Sequence, residues 1–158
     1  MAEDIVVDAN VFMHAANPNE ERFAASLLFL KKLKEVATLL CVDQGYHAEE
    51  AKNRSQIVSE YLKWLPVGSI GSAIISDIAA SGRIRELPRS VTPQVAASIV
   101  QMIPDKTDRV YVKVAHNSAD GILVSHDLLA LLTKRRADVH KAVGVLVVDA
   151  QDGVGKLS

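Results

Sequence analysis

Acidic side chains stand at four points of the chain, and a folded α/β protein could bring them together. Asp8 follows the apolar run Ile5-Val6-Val7, Asp127 comes shortly after Ile122-Leu123-Val124, and the pair Glu49-Glu50 and Asp108 lie between them. Two carboxylates about 5 Å apart repel by roughly 3 kcal/mol at an effective dielectric of about 20, so such a cluster needs cations or protons. Oxygen ligands of this kind suit Mg²⁺ or Mn²⁺.

The elements that must position these acids follow from the hydrophobic pattern. Apolar, β-branched runs predict strands at residues 4–8, 39–42, 122–125 and 143–148. Apolar spacing and helix start signals predict helices at residues 19–37, 46–65, 69–80, 106–116 and 127–137, a further helix opened by Thr92-Pro93, and an extended basic piece at 83–89. Alternating strands and helices imply an α/β fold with a central parallel sheet of four to five strands, flanked by helices. Ligands of such sheets bind at the carboxyl ends of the strands, where Asp8 and Asp127 are expected.

The composition is that of one compact domain covering residues 1–158, with an irregular helical and basic stretch at about 67–104. The chain is 49% hydrophobic and 23% charged, with a net charge of −1, so no global positive field indicates nucleic-acid binding. The single cysteine, Cys41, lies in an apolar run and is predicted to be a buried small hydrophobe. The absence of a long apolar stretch and of a basic leader predicts a cytoplasmic protein with no membrane contact.

Two segments together resemble the PIN domain family. They are Val7-Asp8-Ala9-Asn10-Val11 and the stretch from Asp108 to Asp127, in which a helix and a strand separate the two acids. The resemblance implies a parallel sheet flanked by helices and a Mg²⁺- or Mn²⁺-dependent endoribonuclease, often the toxin of a toxin–antitoxin pair. It also implies that Asp8, one of Glu49 or Glu50, Asp108 and Asp127 form the acidic, metal-binding site, with Asn10 and Ser125 as neighbouring polar groups.

The helix period favours Glu50 over Glu49 as the glutamate of this site. If one helix runs through residues 46–65, Glu50 lies seven and eleven residues before Ile57 and Tyr61 and shares their apolar face. Glu49 lies about 100° away from that direction.

The resemblance further implies a mechanism and partners. Carboxylates would hold one or two metal ions that activate a water for in-line attack on a phosphodiester of RNA, leaving 5′-phosphate and 3′-hydroxyl ends. Asp8 and Asp108 are expected to bind metal directly, and Glu50 and Asp127 through water. A toxin would be paired with a small antitoxin that places a basic side chain in the cleft, and a homodimer would extend the substrate groove.

Other interpretations of the same residues remain open. Asp127, and either Asp105 or Asp108, could simply cap helices, and Asp43, Asp120 and Asp149 are expected to serve turns or strand ends. His47-Ala48-Glu49 lacks the paired cysteines of zinc deaminases, and His126-Asp127 follows a strand rather than lying within helices as in HD-type phosphohydrolases. Trp64 is predicted to lie in the core or at a subunit interface. The basic runs 83–89 and 134–141 are candidate phosphate contacts. The rival from another class is a PIN-like module that binds RNA or protein without cutting.

Overall fold

The computed structural model describes residues 1–126 and 133–157, and for residues 133 and 134 it describes the backbone only. Within these ranges, five strands form one parallel sheet: β1 (Asp4–Val7), β2 (Leu39–Asp43), β3 (Ile84–Leu87), β4 (Ile122–Val124) and β5 (Leu146–Val148). Their order across the sheet is β3-β2-β1-β4-β5. The predicted α/β fold with a parallel sheet of four to five strands is confirmed.

Helices cover both faces of the sheet. They are α1 (Ala9–His14), α2 (Phe23–Glu35), α3 (Gln56–Trp64), α4 (Ile70–Ala80), α5 (Pro93–Met102), α6 (Lys106–Asn117), α7 (Thr133–Val143) and α8 (Ala150–Lys156). The strand residues Ile5 to Val7, Leu40 to Val42, Ile122 to Val124 and Val147 to Val148 are buried because parallel strands are covered on both sides. None of the described helices is long and apolar enough to cross a membrane.

The strand order creates a crevice beside β1. The chain builds β2 and β3 on one side of β1 and then returns to place β4 and β5 on the other side. Because the connections diverge at this point, the loops after β1 and β4 separate at the carboxyl edge of the sheet, which is where open α/β folds bind ligands. Asp8 follows β1 directly, and Ser125 follows β4.

Most predicted elements are present, but the long helix predicted at 46–65 is wrong. A short 3-10 turn at Glu50–Lys52 comes first, and α3 begins only at Gln56. The cause is Asp43, a buried carboxylate at the end of β2. It accepts hydrogen bonds from the Ser55 hydroxyl (2.6 Å) and from the backbone N–H groups of Gln56 (2.7 Å) and Ile57 (2.9 Å), which fixes the start of the helix there.

Other boundaries differ at the ends of the chain. Helices α1 and α8 were not predicted, and the basic piece at 83–89 contains the edge strand β3. The last strand starts at Leu146 and not at residue 143, because α7 continues to Val143 and Gly144 then adopts a positive φ of 72°. The first half of the helix predicted at 127–137 lies outside the described residues.

Gly121 offers a test of the turn that enters β4. Its φ is +65°, and an added Cβ would lie 2.6 Å from the carbonyl oxygen of Gly144. Gly82 has a similar φ of +70°, but nothing lies within 4 Å of its Cβ position. We expect Gly82→Ala to lower the free energy of unfolding by about 1 kcal/mol through the positive φ alone.

Gly121→Ala should lower the free energy of unfolding by about 2 to 3 kcal/mol, because backbone overlap adds to the same conformational cost. Urea unfolding of both variants measures the difference. Equal losses in the two variants would show that the close approach of Gly121 to Gly144 does not matter.

Candidate acidic active site

Asp8 is held rigidly at the crevice between β1 and β4. Its backbone N–H donates to the Val124 carbonyl (2.9 Å), so the strand pairing continues one residue beyond β1. One carboxylate oxygen accepts from the Ser125 hydroxyl (2.8 Å) and the other from the Asn10 N–H (3.3 Å), which caps α1. The side chain is 7% exposed. A buried carboxylate fixed by two donors is oriented for chemistry at this edge of the sheet.

Asn10 joins the two sides of the crevice. Its side-chain oxygen accepts from the backbone N–H of His126 (3.1 Å). Its Nδ2 is buried and has no hydrogen-bond partner among the described residues. A buried amide donor without a partner costs free energy, so this nitrogen is suited to donate to a ligand that enters the site. The sequence prediction that Asn10 and Ser125 neighbour Asp8 is in keeping with these contacts.

His126 is an uncharged structural anchor beneath the site. Its Nε2 accepts the backbone N–H of Ala150 (2.9 Å), so the ring proton lies on Nδ1, 2.8 Å from Nδ1 of His14. The two rings are stacked, 5.0 Å apart at 7°. Burial, with the positive charges of Arg22 and His14, lowers the pKa of His126 to about 4. The ring therefore stays neutral near pH 7. The backbone N–H of the same residue donates to Asn10.

Asp108 reaches the same crevice from the other wall. Helix α6 is capped by Asp105, whose carboxylate accepts from the N–H groups of Thr107 (2.8 Å) and Asp108 (3.2 Å). Asp108 lies in the first turn of α6 and is half-buried. The alternative that Asp108 caps this helix is thus wrong, because Asp105 occupies the capping position. The positive end of the α6 dipole stabilises a negative charge at this position.

Asp8 and Asp108 line one cavity of about 420 Å³. The residues around it are Asp8, Ala9, Asn10, Met13, Glu60, Lys63, Trp64, Asp105, Thr107, Asp108 and Tyr111. A smaller cavity of about 250 Å³ shares Glu60, Thr107 and Tyr111 with it, so a groove continues between α3 and α6. Four carboxylates against one lysine make this groove strongly acidic for a chain whose net charge is only −1.

Two buried phenols, Tyr61 and Tyr111, lie near Asp8, and Tyr111 also lines the groove. The Tyr61 hydroxyl donates to the Val7 carbonyl, and the Tyr111 hydroxyl accepts from the Ala9 N–H (3.4 Å). Burial, followed by the negative charge of Asp8, raises the pKa of Tyr61 well above its usual value. Burial also raises the pKa of Tyr111, with contributions from Tyr61 and Asp8. Both phenols therefore stay protonated and keep their positions around Asp8.

The glutamate on the groove is Glu60, which the sequence analysis missed. Glu49 and Glu50 are exposed at the 3-10 turn, Glu49 pairs with Lys52 (3.1 Å), and neither lines the cavity. Glu60 lies on α3 between the buried Ile57 and Tyr61. With the helix starting at Gln56, Glu60 follows Ile57 by three residues and adjoins the apolar face, a position that a sequence pattern could have flagged.

Asp127 and the basic run at 83–89 are the remaining groups predicted to bind metal or phosphate. Asp127 lies outside the described residues. The basic run at 83–89 is committed to structural contacts: Arg83 donates to the carbonyls of Leu33, Lys34 and Thr38, Arg85 pairs with Asp4, and Arg89 lies 3.5 Å from Asp43. These guanidinium groups therefore support the fold at β2 and β3, and their binding of phosphate stays a prediction.

The groove has oxygen ligands that suit a hard cation, but its described residues do not form a complete coordination shell. Its ionisable donors are carboxylates, with no thiolate or imidazole among the lining residues, which fits Mg²⁺ or Mn²⁺. Among residues 1–126 and 133–157, no three acidic, histidine or cysteine side chains are close enough to hold an ion together. An ion bound here would therefore keep several water ligands, as Mg²⁺ usually does in proteins.

Comparisons with known proteins add little to this geometry. No protein-family model and no curated protein matches the chain. Among solved structures, the crystal structure of VapBC2 from Rickettsia felis bound to a DNA fragment from their promoter is similar to the chain, with a TM-score of 0.46 and 8% sequence identity. The match covers 92% of this chain and 98% of that one. No residue role is carried over from this likeness, and the assignments rest on the groove itself.

Proposed function

We propose that the chain is a divalent-metal-dependent endoribonuclease of the PIN type, which hydrolyses phosphodiester bonds of RNA. The observation that carries the proposal is the meeting of Asp8, Asp108 and Glu60 on one groove, at the point where the strand order of the sheet reverses. The resemblance of the segments around Asp8 and Asp108 to PIN domains supports the same activity.

In this proposal the carboxylates would hold the metal and the other groups would hold the substrate. Asp8 and Asp108 would hold the ion directly and Glu60 through water, with Asp127 as a further water-mediated ligand as the PIN resemblance implies. A Mg²⁺ or Mn²⁺ ion held there would supply a water of lowered pKa and neutralise charge on the leaving oxygen. Ser125 keeps the Asp8 carboxylate in one orientation through its 2.8 Å hydrogen bond.

Two further groups on the groove are suited to hold the substrate. The buried Asn10 Nδ2 can donate to a phosphate oxygen, since it has no partner among the described residues. Among the described residues that line the cavity, Lys63 carries the one positive charge, and it can pair with a second phosphate. RNA entering the groove would therefore meet one donor near Asp8 and one cation at the rim.

The test is incubation of the purified protein with labelled single-stranded RNA and DNA in Mg²⁺, Mn²⁺ or EDTA. We expect RNA cleavage only with metal. Glu60→Gln should lower the cleavage rate by about ten- to a hundredfold, the usual cost of losing an outer ligand. Glu50→Gln should leave the rate within about twofold, because Glu50 is exposed and away from the groove.

The pair of glutamate variants separates the structural assignment from the sequence prediction. A loss of cleavage in Glu50→Gln with a normal rate in Glu60→Gln would overturn the assignment of Glu60. Cleavage by the wild-type protein in EDTA would overturn metal dependence.

A second candidate function is a PIN-like module that binds RNA or a protein partner without cutting. One observation favours it: no three of the described acidic, histidine or cysteine side chains are close enough to hold a metal ion together. Metal-independent RNA binding with no cleavage in any metal would support this candidate over the nuclease.

The acidity of the groove also bears on an antitoxin partner. If the chain is the toxin of a pair, its inhibitor should carry an arginine or lysine that enters between Asp8, Glu60 and Asp108, as the PIN resemblance implies. Such a cation would replace the metal and complement the negative charge of the groove.

A further inference from the structure

Trp64 lies at the rim of the acidic groove and not in the core. Its side chain is 47% exposed, although burying an indole ring is strongly favourable. The prediction that it is a core residue is wrong. It is the last residue of α3 and lines the same cavity as Asp8 and Asp108. An exposed tryptophan beside a candidate active site calls for an explanation from its surroundings.

The ring is held in place before any ligand arrives. Its Nε1–H donates to the Glu60 carboxylate (2.9 Å), one turn earlier on the helix. The Lys63 ammonium lies over the ring, 4.8 Å from its centroid. The polar edge of the indole is therefore satisfied within the helix, and the aromatic surface is what remains to be covered by a partner.

Among the described residues that line the cavity with Trp64, polar groups predominate. Leu62 is 45% exposed but lies two residues from Trp64, about 200° around the helix, so the two side chains point to opposite sides. Among the residues lining the cavity, Met13 is the other large apolar side chain with notable exposure, at 37%. The other described lining residues are four carboxylates, one amide, the hydroxyl-bearing Thr107 and Tyr111, Lys63 and the small Ala9. A flat aromatic ring beside a cation in a polar groove matches a nucleotide better than an apolar protein surface.

We propose that Trp64 is a stacking platform for one base of single-stranded RNA, and that Lys63 pairs with the phosphate next to that base. This inference rests on the proposed ribonuclease function and extends it, because it assigns a substrate-positioning site on α3 next to the metal-binding carboxylates. Stacking on tryptophan tolerates any base, so the platform orients the strand over Asp8 and Asp108 without reading its sequence. The hydrogen bond that the indole N–H donates to Glu60 links the platform to one of the carboxylates of the site.

The chain has a single tryptophan, so its own fluorescence reports on the platform directly. The ligand is a short single-stranded 2′-O-methyl oligonucleotide, which resists cleavage, compared with an abasic oligomer of the same backbone. Binding of each labelled oligomer is measured by anisotropy in Mg²⁺, for wild-type protein and for the variants Trp64→Ala, Trp64→Phe and Lys63→Ala. Leu62→Ala is the matched control, because it removes an exposed apolar side chain from the opposite side of the same helix.

We expect the base-containing oligomer to quench Trp64 fluorescence and the abasic oligomer not to quench it. Trp64→Ala should weaken binding of the base-containing oligomer by about ten- to a hundredfold, and Trp64→Phe by less. Lys63→Ala should weaken binding of both oligomers and reduce the salt dependence by about one phosphate contact. Leu62→Ala should bind like wild type.

Three results would overturn the inference, and they are distinct from failure of the nuclease proposal. The first is cleavage and RNA binding that are unchanged in Trp64→Ala. The second is equal loss of affinity for the two oligomers in Trp64→Ala. The third is a wild-type dimer that Trp64→Ala dissociates while RNA binding persists, which would make Trp64 a contact between subunits. Absence of oligomer binding and of cleavage by the wild-type protein would remove the proposed function and the platform together.

Discussion

Asp8→Asn should reduce metal-dependent RNA cleavage by about a thousandfold, which corresponds to about 4 kcal/mol of activation free energy. The carboxylate is the most tightly positioned acid of the groove, with Ser125 and the Asn10 N–H bound to its two oxygens. An amide keeps the size and one acceptor oxygen but cannot supply the charge that binds a cation. The fold should survive, because asparagine is also a good helix cap for α1.

The measurement is a single-turnover cleavage rate in Mg²⁺, with circular dichroism to confirm folding. Asp108→Asn should cause a loss of similar size, since Asp108 is the second proposed direct ligand. Asp43→Asn is a useful comparison, because Asp43 is also a buried acid at the end of a strand but binds the start of α3 instead of the groove. Asp43→Asn should lower stability while the folded fraction keeps its cleavage rate. A fully active, folded Asp8→Asn protein would rule out Asp8 as a catalytic ligand.

Asp4→Ala should lower the free energy of unfolding by about 3 to 5 kcal/mol, as expected when one partner of a buried ion pair is removed. Asp4 is fully buried at the start of β1 and accepts from Arg85 (2.7 Å) and from the N–H groups of Ala119 (3.0 Å) and Asp120 (3.2 Å). The Asp120 carboxylate in turn accepts from the N–H groups of Glu3 (2.6 Å) and Asp4 (3.3 Å). These reciprocal bonds tie the first strand to the turn before β4.

Glu3→Ala is the matched control for this prediction. Glu3 pairs with the other terminal nitrogen of the same Arg85 (2.9 Å), but its side chain is 61% exposed. Its loss should cost no more than about 0.5 kcal/mol. Urea unfolding at pH 7 measures both variants, and similar losses from the two would show that burial does not determine the strength of this pair.

The pH dependence of stability provides a second readout of Asp4. Burial alone would raise the pKa of its carboxyl, but the hydrogen bonds from Ala119, Arg85 and Asp120 outweigh burial and lower the pKa. A lowered pKa means that Asp4 contributes stability above its unfolded pKa of about 3.9, and that this contribution is lost as the pH falls through the folded pKa. Below about pH 4, the free energy of unfolding of the wild type should therefore fall more steeply with decreasing pH than that of Asp4→Ala.

The sequence was sufficient for four of the five described strands and for the position of Asp8 at the end of β1. Strand runs rich in Val, Ile and Leu are buried on both faces, so they are visible without any tertiary information, and Asp8 follows one of them directly. Asp108 was identified through the resemblance to PIN domains, and it lies in the first turn of α6, within the helix predicted at 106–116. The expectations for Asp43, Asp120 and Asp149 are also confirmed: the first two bind backbone N–H groups at turns, and Asp149 caps α8.

The choice of glutamate failed because a long-range contact decides it. Residues 46–55 have the composition of a helix, but Asp43 and Ser55 bind the N–H groups that start α3 and so exclude an earlier beginning. Because α3 starts at Gln56, Glu50 is not part of this helix and does not share its apolar face. Glu60 is the glutamate of α3 that lines the groove. The prediction of a core position for Trp64 was wrong for a related reason. A hydrophobic residue at helical spacing is usually buried, and only the tertiary position of α6 shows that this end of α3 faces a groove.

The central position of β1 has a consequence for how the protein is made. β1 is the first strand synthesised, yet its neighbour β4 and the Ser125 that orients Asp8 come much later, with Asp8 and Ser125 separated by 117 positions. Until the ribosome has produced that part of the chain, one edge of β1 is unpaired and the wall formed by α6 is missing. A growing polypeptide therefore has no assembled acidic groove until Ser125 and α6 have been synthesised.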